Sequence, residues 1–180
     1  MKVRILFLIC FLSITCLLNA ADKPVIQIHT DNSSLIFRVA DNGRLYQSYL
    51  GKKLSHEADI SHLLQGTEAY ITHGMEDYFE PAIHILHNDG NPSLLLKYVS
   101  HETKVVSQGV NETIITLGDD KYPVTVKLHY VTYPAEDIIK TYTEISHKEK
   151  KPVVLHQYAS SMLHLNRAKY YLTEFSGDWA

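Results

Sequence analysis

Residues 124–130, Val-Thr-Val-Lys-Leu-His-Tyr, alternate apolar and polar side chains with a period of two. Successive side chains of a strand point to opposite faces, so this pattern makes a strand with one buried face and one wetted face. Similar, less regular runs occur at 25–29, 35–40, 45–50, 82–87, 94–100, 112–117, 138–145, 153–165 and 170–175. Turn chemistry falls between them. Asp41-Asn42-Gly43, Asn88-Asp89-Gly90-Asn91-Pro92 and Gly118-Asp119-Asp120 are hairpin signals, because Asn and Gly accept the positive φ of tight turns. Tyr133-Pro134-Ala135-Glu136-Asp137 separates two long strands. About ten strands at short spacing predict an all-β fold of antiparallel sheets packed face to face, not a βαβ architecture. One stretch departs from the pattern: 55–75 reads as a long loop with a helical turn at 58–64, and long loops in compact domains are often functional.

The first twenty residues obey a different logic. Lys2 and Arg4 precede an apolar run at 5–18, and Leu18-Asn19-Ala20 ends it with a small residue. That is the form of a signal peptide, so the chain is expected to be exported, to the periplasm or outside the cell, and cleaved after Ala20. The run is short for a membrane span, which needs ~20 apolar residues. Both cysteines, Cys10 and Cys16, lie inside it, so the mature chain is expected to carry no disulfide. Thr15 before Cys16 is larger than the small residue that lipoprotein acylation favours. Residues 21–180 form one domain's worth of chain, without repeats or a linker. A net charge of −3 leaves no basic field for phosphate backbones, so nucleic acid is not an expected partner. Twelve Tyr against five Phe and one Trp suit half-buried β surfaces that meet water or sugar.

Eleven histidines raise the question of a metal. His84 and His87 are three apart, an odd offset that points them to opposite faces of a strand. No His-Glu-X-X-His spacing occurs, and no metal or other cofactor is expected. The serine-nucleophile Gly-X-Ser-X-Gly motif, a phosphate-binding Gly-rich loop and a dinucleotide fingerprint are absent too. Asn32-Ser33-Ser34 and Asn111-Glu112-Thr113 fit the N-glycosylation pattern. The remaining cluster is Tyr70, Glu76, Asp77, Tyr78, Phe79 and Glu80. Carboxylates accept hydrogen bonds from vicinal sugar hydroxyls and aromatic rings cover the C–H face of a pyranose, so such a loop suits sugar. The competing reading is an acidic loop running into a strand with its aromatics in the core.

Three segments resemble the amino-terminal domain of family 36 glycoside hydrolases, the α-galactosidases. They are Asp77-Tyr78-Phe79-Glu80-Pro81-Ala82, the hairpin from Asp89-Gly90 through Leu94 to Tyr98-Val99-Ser100-His101, and the turn Ser176-Gly177-Asp178-Trp179-Ala180. The resemblance implies an antiparallel β-supersandwich of the galactose-mutarotase type, incomplete at its C-terminus, whose full-length relatives hydrolyse terminal α-galactosides with retention. It further implies that Asp77 reaches toward a galactose site. Glu80 stands where the family often has Arg, and Trp179 matches the Trp of the closing turn. A retaining glycosidase needs two carboxylates ~5–5.5 Å apart. The family takes both from barrel strands, the nucleophile within a Lys-Trp-Asp motif, and no Lys-Trp-Asp occurs here. No catalytic residue is therefore expected in this chain.

The expected role is a non-catalytic domain of an α-galactosidase-like enzyme, cut before its barrel, with weak binding of α-galactosides or other carbohydrates. In full-length relatives such a domain packs on the barrel and on sister subunits. A free-standing carbohydrate-binding module is the alternative. A mutarotase-like isomerase is a third reading, although no His and Glu spacing selects an acid–base pair. Unpaired strand edges and an exposed aromatic end predict self-association.

Overall fold

The computed structural model describes residues 23–75, 79–165 and Gly177. Ten strands and one short helix follow in the order β1 (Val25–His29), β2 (Ser33–Val39), β3 (Leu45–Lys52), α1 (Glu57–Ser61), β4 (Thr67–Glu68), β5 (Ile83–Leu86), β6 (Lys97–Ser107), β7 (Val110–Gly118), β8 (Val124–Tyr133), β9 (Ile138–His147) and β10 (Val154–Tyr158). They form a sheet β1-β2-β3-β4, a second sheet β6-β7-β8-β9, and a two-stranded β5-β10 ribbon, all antiparallel. This is the antiparallel β-sandwich expected from the period-two pattern.

The core lies between the sheets. Ile26, Ile28, Leu35, Phe37 and Leu45 on one side meet Ile115, Leu117, Val126, Leu128 and Tyr130 on the other, with Ile83, Ile85, Leu94 and Leu96 among them. The Phe37 and Tyr130 rings lie 5.1 Å apart, tilted by 46°. In β8 the inward residues are Val124, Val126, Leu128 and Tyr130, the alternating set that the sequence displays. Strand β2 is buried on both faces. Ser34 and Ile36 face away from the sandwich core, where the Leu54 amide donates to Ser34 Oγ (2.9 Å) and Arg38 donates to the Ile60 carbonyl. The segment carrying α1 thus roofs the outer face of the first sheet, with Ile60 as its buried contact.

Differences from the expected elements have local causes. The run at 153–165 is a strand only over β10, and β6 continues to Ser107 through polar residues whose ladder to β7 carries them. The turns at Gly43 (φ 78°) and Gly90 (φ 83°) take the positive φ foreseen for them. Gly118 does not; there Asp119 Oδ1 accepts the amides of Lys121 and Tyr122 (2.6 and 2.8 Å) and turns the chain with its side chain instead. Between β8 and β9 the chain turns at Asp137, which holds φ 56° without being Gly. Its carboxylate accepts from Thr30 Oγ1 and, at 3.1 Å, from Ser33 Oγ, pinning this turn to the one between β1 and β2. The run at 170–175, the leader at 1–20 and Trp179 lie outside the described residues.

Candidate functional site

The loop after β4 carries the cluster with two readings, a sugar contact or an acidic entry to a strand with its aromatics in the core, and the structure divides its residues. Tyr70 is 2% exposed and belongs to the core, its hydroxyl donating to the Ala159 carbonyl at 2.8 Å. Burial pushes its phenol above the ordinary value. Phe79 is 64% exposed. Glu80 accepts from Gln157 Nε2 at 2.9 Å, which ties the start of β5 to β10. Glu76, Asp77 and Tyr78 lie outside the described residues. Next to the loop a cleft of about 200 Å³ is lined by Met75, Ser93, Leu94, Leu95, Asp119 and Tyr122, among others.

Three histidines gather at the base of this loop. His73 stacks on His84 (3.7 Å between ring centroids, 20°), and His156 lies on His84 at 4.7 Å. Burial lowers the affinity of His84 for a proton, and the neighbouring His73 and His156 add to the effect. His87 points elsewhere, as its odd offset from His84 requires. Among the described residues no three His, Cys, Asp or Glu side chains converge so as to hold a metal.

His87 is sealed inside. Its Nδ1 lies 2.7 Å from Glu149 Oε1, its Nε2 3.1 Å from the Ser93 carbonyl, and its ring stacks on Tyr122 at 3.5 Å. Both side chains of the His87–Glu149 pair are almost wholly buried. Burial opposes the charge of Glu149, yet hydrogen bonds from His87 and from the Asn88 amide hold its carboxyl below the ordinary value. The pair is a buried hydrogen-bonded clasp between the end of β5 and the loop after β9.

A second polar cluster lies on the outer face of the β6-β7-β8-β9 sheet. Glu112 accepts from Tyr142 Oη at 2.5 Å, Lys104 Nζ at 2.9 Å and His129 Nδ1 at 2.9 Å. These donors, Tyr142 foremost, bring its pKa down to about 2. The His129 and Tyr142 rings stack at 4.2 Å. His129 Nε2 is buried without a hydrogen-bond partner; Glu144 Oε2, at 3.6 Å, is beyond hydrogen-bond range.

These pairs bear on the acid–base reading. A mutarotase places its acid and base on either side of a sugar ring. Here the two His–Glu pairs touch at 2.7 and 2.9 Å, which leaves no space for a substrate between them. Both act as fasteners. Sequence reasoning missed them because their members are far apart in the chain and meet only through strand register.

Residues 27–180 match the family described as the glycosyl hydrolase family 36 N-terminal domain. Among solved structures, the chain is similar to an α-galactosidase from Lactobacillus brevis, with 16% identity and a TM-score of 0.65 over 77% of this chain and 23% of that one. It is similar to a family 36 α-galactosidase from Geobacillus stearothermophilus in complex with 1-deoxygalactonojirimycin, with 18% identity and a TM-score of 0.66 over 76% of this chain and 24% of that one. The galactosidase domain of an α-galactosidase–sucrose kinase gives 20% identity and a TM-score of 0.66 over 76% and 24% of the two chains. The chain therefore spans about a quarter of the length of these structures. A search of curated proteins gave no match.

Proposed function

Because the chain belongs to the glycosyl hydrolase family 36 N-terminal domain family, we propose that it serves as the non-catalytic sandwich beside an α-galactosidase barrel and lends that barrel's sugar site the loop around Asp77. The observation that carries this reading is the family match across 27–180 on an antiparallel sandwich of the same fold. The substrate class is suggested by one solved relative, the Geobacillus stearothermophilus α-galactosidase AgaA, whose variants are held with 1-deoxygalactonojirimycin, raffinose and stachyose. Two features near the loop support a role in sugar contact: the exposed Phe79 ring and the cleft bordered by Met75. Export is part of the proposal and rests on the leader at 1–20.

The chain by itself is expected to hold galactose or melibiose no better than about millimolar, near −4 kcal/mol. NMR titration of the full chain should shift the amides of residues 70–80, and Asp77→Ala should abolish the shifts. Unmoved spectra at tens of millimolar sugar would refute the sugar-contact role. The chain should also leave an aryl α-galactoside intact, since it carries no Lys-Trp-Asp nucleophile motif. Turnover by the homogeneous protein would refute the non-catalytic reading.

A further inference from the structure

Strand β6 ends the second sheet: the Tyr98 amide donates to the Gly43 carbonyl at 2.8 Å, and beyond that point no strand among the described residues pairs with its outer edge. All its residues from Val99 to Ser107 are exposed, including Val99, Val105 and Val106 at 62%, 75% and 55%. Bulges interrupt its ladder to β7 between Tyr98 and Ser100 and between Val105 and Ser107, leaving a regular stretch at 100–105. The opposite edge strand, β9, likewise has no strand beyond it among the described residues, but its inner face is covered by the segment after β10. Thr143 Oγ1 of β9 donates to the Ser160 carbonyl at 3.1 Å, and Ala159 and Met162 pack on the core beside it.

An open regular edge is a template for another strand, and the side chains of β6 say which strand fits. About Thr103 its sequence is complementary to its own antiparallel copy. Placing Thr103 opposite Thr103 of a second chain sets Glu102 across from Lys104, and Lys104 across from Glu102, on one face. On the other face His101 meets Val105. Glu102 makes no hydrogen bond or ion pair among the described residues, although it lies within electrostatic reach of Lys104. Lys104 already donates to Glu112 at 2.9 Å, so a Glu102 arriving from outside would extend an existing network.

We propose that β6 pairs antiparallel with β6 of a second copy across a two-fold axis at Thr103, joining two four-stranded sheets into one continuous sheet. The interface is isologous: each Glu102–Lys104 contact is made twice, as closed two-fold symmetry demands. Opposite charges directly across an antiparallel pair favour it, and like charges oppose it. This inference goes beyond the sugar reading and depends on different residues.

Sedimentation equilibrium of the full chain tests it, with a reversible monomer–dimer equilibrium expected. Glu102→Lys places four lysines at the centre of the interface and should weaken dimerisation about tenfold, with an unchanged melting temperature at dilutions where both proteins are monomeric. Lys104→Glu should weaken it likewise, and mixing the two variants should restore a dimer made of one chain of each. A second readout does not depend on how well the Lys104 variant folds. Directly opposed strand residues have Cα atoms ~4.5–5.5 Å apart, within disulfide range. With Cys10 and Cys16 replaced by Ser, Thr103→Cys should cross-link two chains under mild oxidation, while Gln108→Cys should not. A wild-type chain monomeric at all concentrations, a Glu102→Lys variant that dimerises as tightly as wild type, or equal cross-linking at 103 and 108 would overturn the proposal.

Discussion

Glu112 is held in its charged form by three donors, and that has a consequence in acid. Its pKa is about 2 in the folded chain, against an ordinary value of 4.5. A carboxyl whose folded value is depressed contributes stability above the unfolded value and loses it as pH falls through the folded one. Glu112→Gln should therefore be less stable than wild type by a constant margin above about pH 5. The margin should shrink as pH falls from 4.5 toward 2, in urea melts at stepped pH. Tyr142→Phe removes the shortest of the three bonds and should cost about 1 kcal/mol at neutral pH. The His87–Glu149 clasp behaves differently, because both side chains are buried. Glu149→Ala leaves the buried His87 ring and the Asn88 amide without their acceptor and should cost about 3 kcal/mol by denaturant unfolding, more than Tyr142→Phe.

Within elements, Gly66 has the narrowest tolerance. It enters β4 at φ 81°, and a Cβ there would sit 1.9 Å from the Gln47 carbonyl oxygen, a backbone atom that cannot move aside. Gly109, in the β6–β7 hairpin, has a similar φ of 74° but open space around it. Gly109→Ala should cost only the left-handed backbone term, about 1 kcal/mol, and Gly66→Ala at least about 3 kcal/mol. Thermal melts of the two variants measure the difference, and equal losses would mean that the contact with Gln47 is not rigid. Elements also show how far the sequence could be read. The alternation in β8 and the turns at Gly43 and Gly90 were legible because each is a local property of a few residues. Pairing of β5 with β10 was not, since it joins residues 83–86 to 154–158 across the intervening sheet. The Glu112 cluster shares that origin. Lys104, Glu112, His129 and Tyr142 are ordinary outward-facing residues of four strands, and only the ladders Lys104–Glu112, Ile114–His129 and His129–Tyr142 bring them together. For Tyr70 the sequence left sugar contact and core burial both open; its neighbours Ala69 and Ile71, both buried, go with the second.

Across the whole molecule, a few long-range bonds decide whether the layers act as one body. Tyr70 ties the first sheet's last connection to the segment after β10 through Ala159, residues 89 apart. Tyr70→Phe keeps the ring in the core and should cost about 1 kcal/mol, while speeding proteolytic cleavage near 159–165 beyond what the global loss explains. Cleavage that simply tracks global stability would show that Tyr70 does not hold that segment separately. Asp137 fastens the other end, closing a contact with Thr30 across 107 residues. Such a bond adds little until the chain between its partners has already been gathered in, because loop closure must be offset before a distant contact contributes. Its signature should therefore be kinetic: Asp137→Ala should accelerate unfolding in stopped-flow experiments and leave the refolding rate nearly unchanged, marking the junction of the two turns as the last part of the sandwich to form and the first to part.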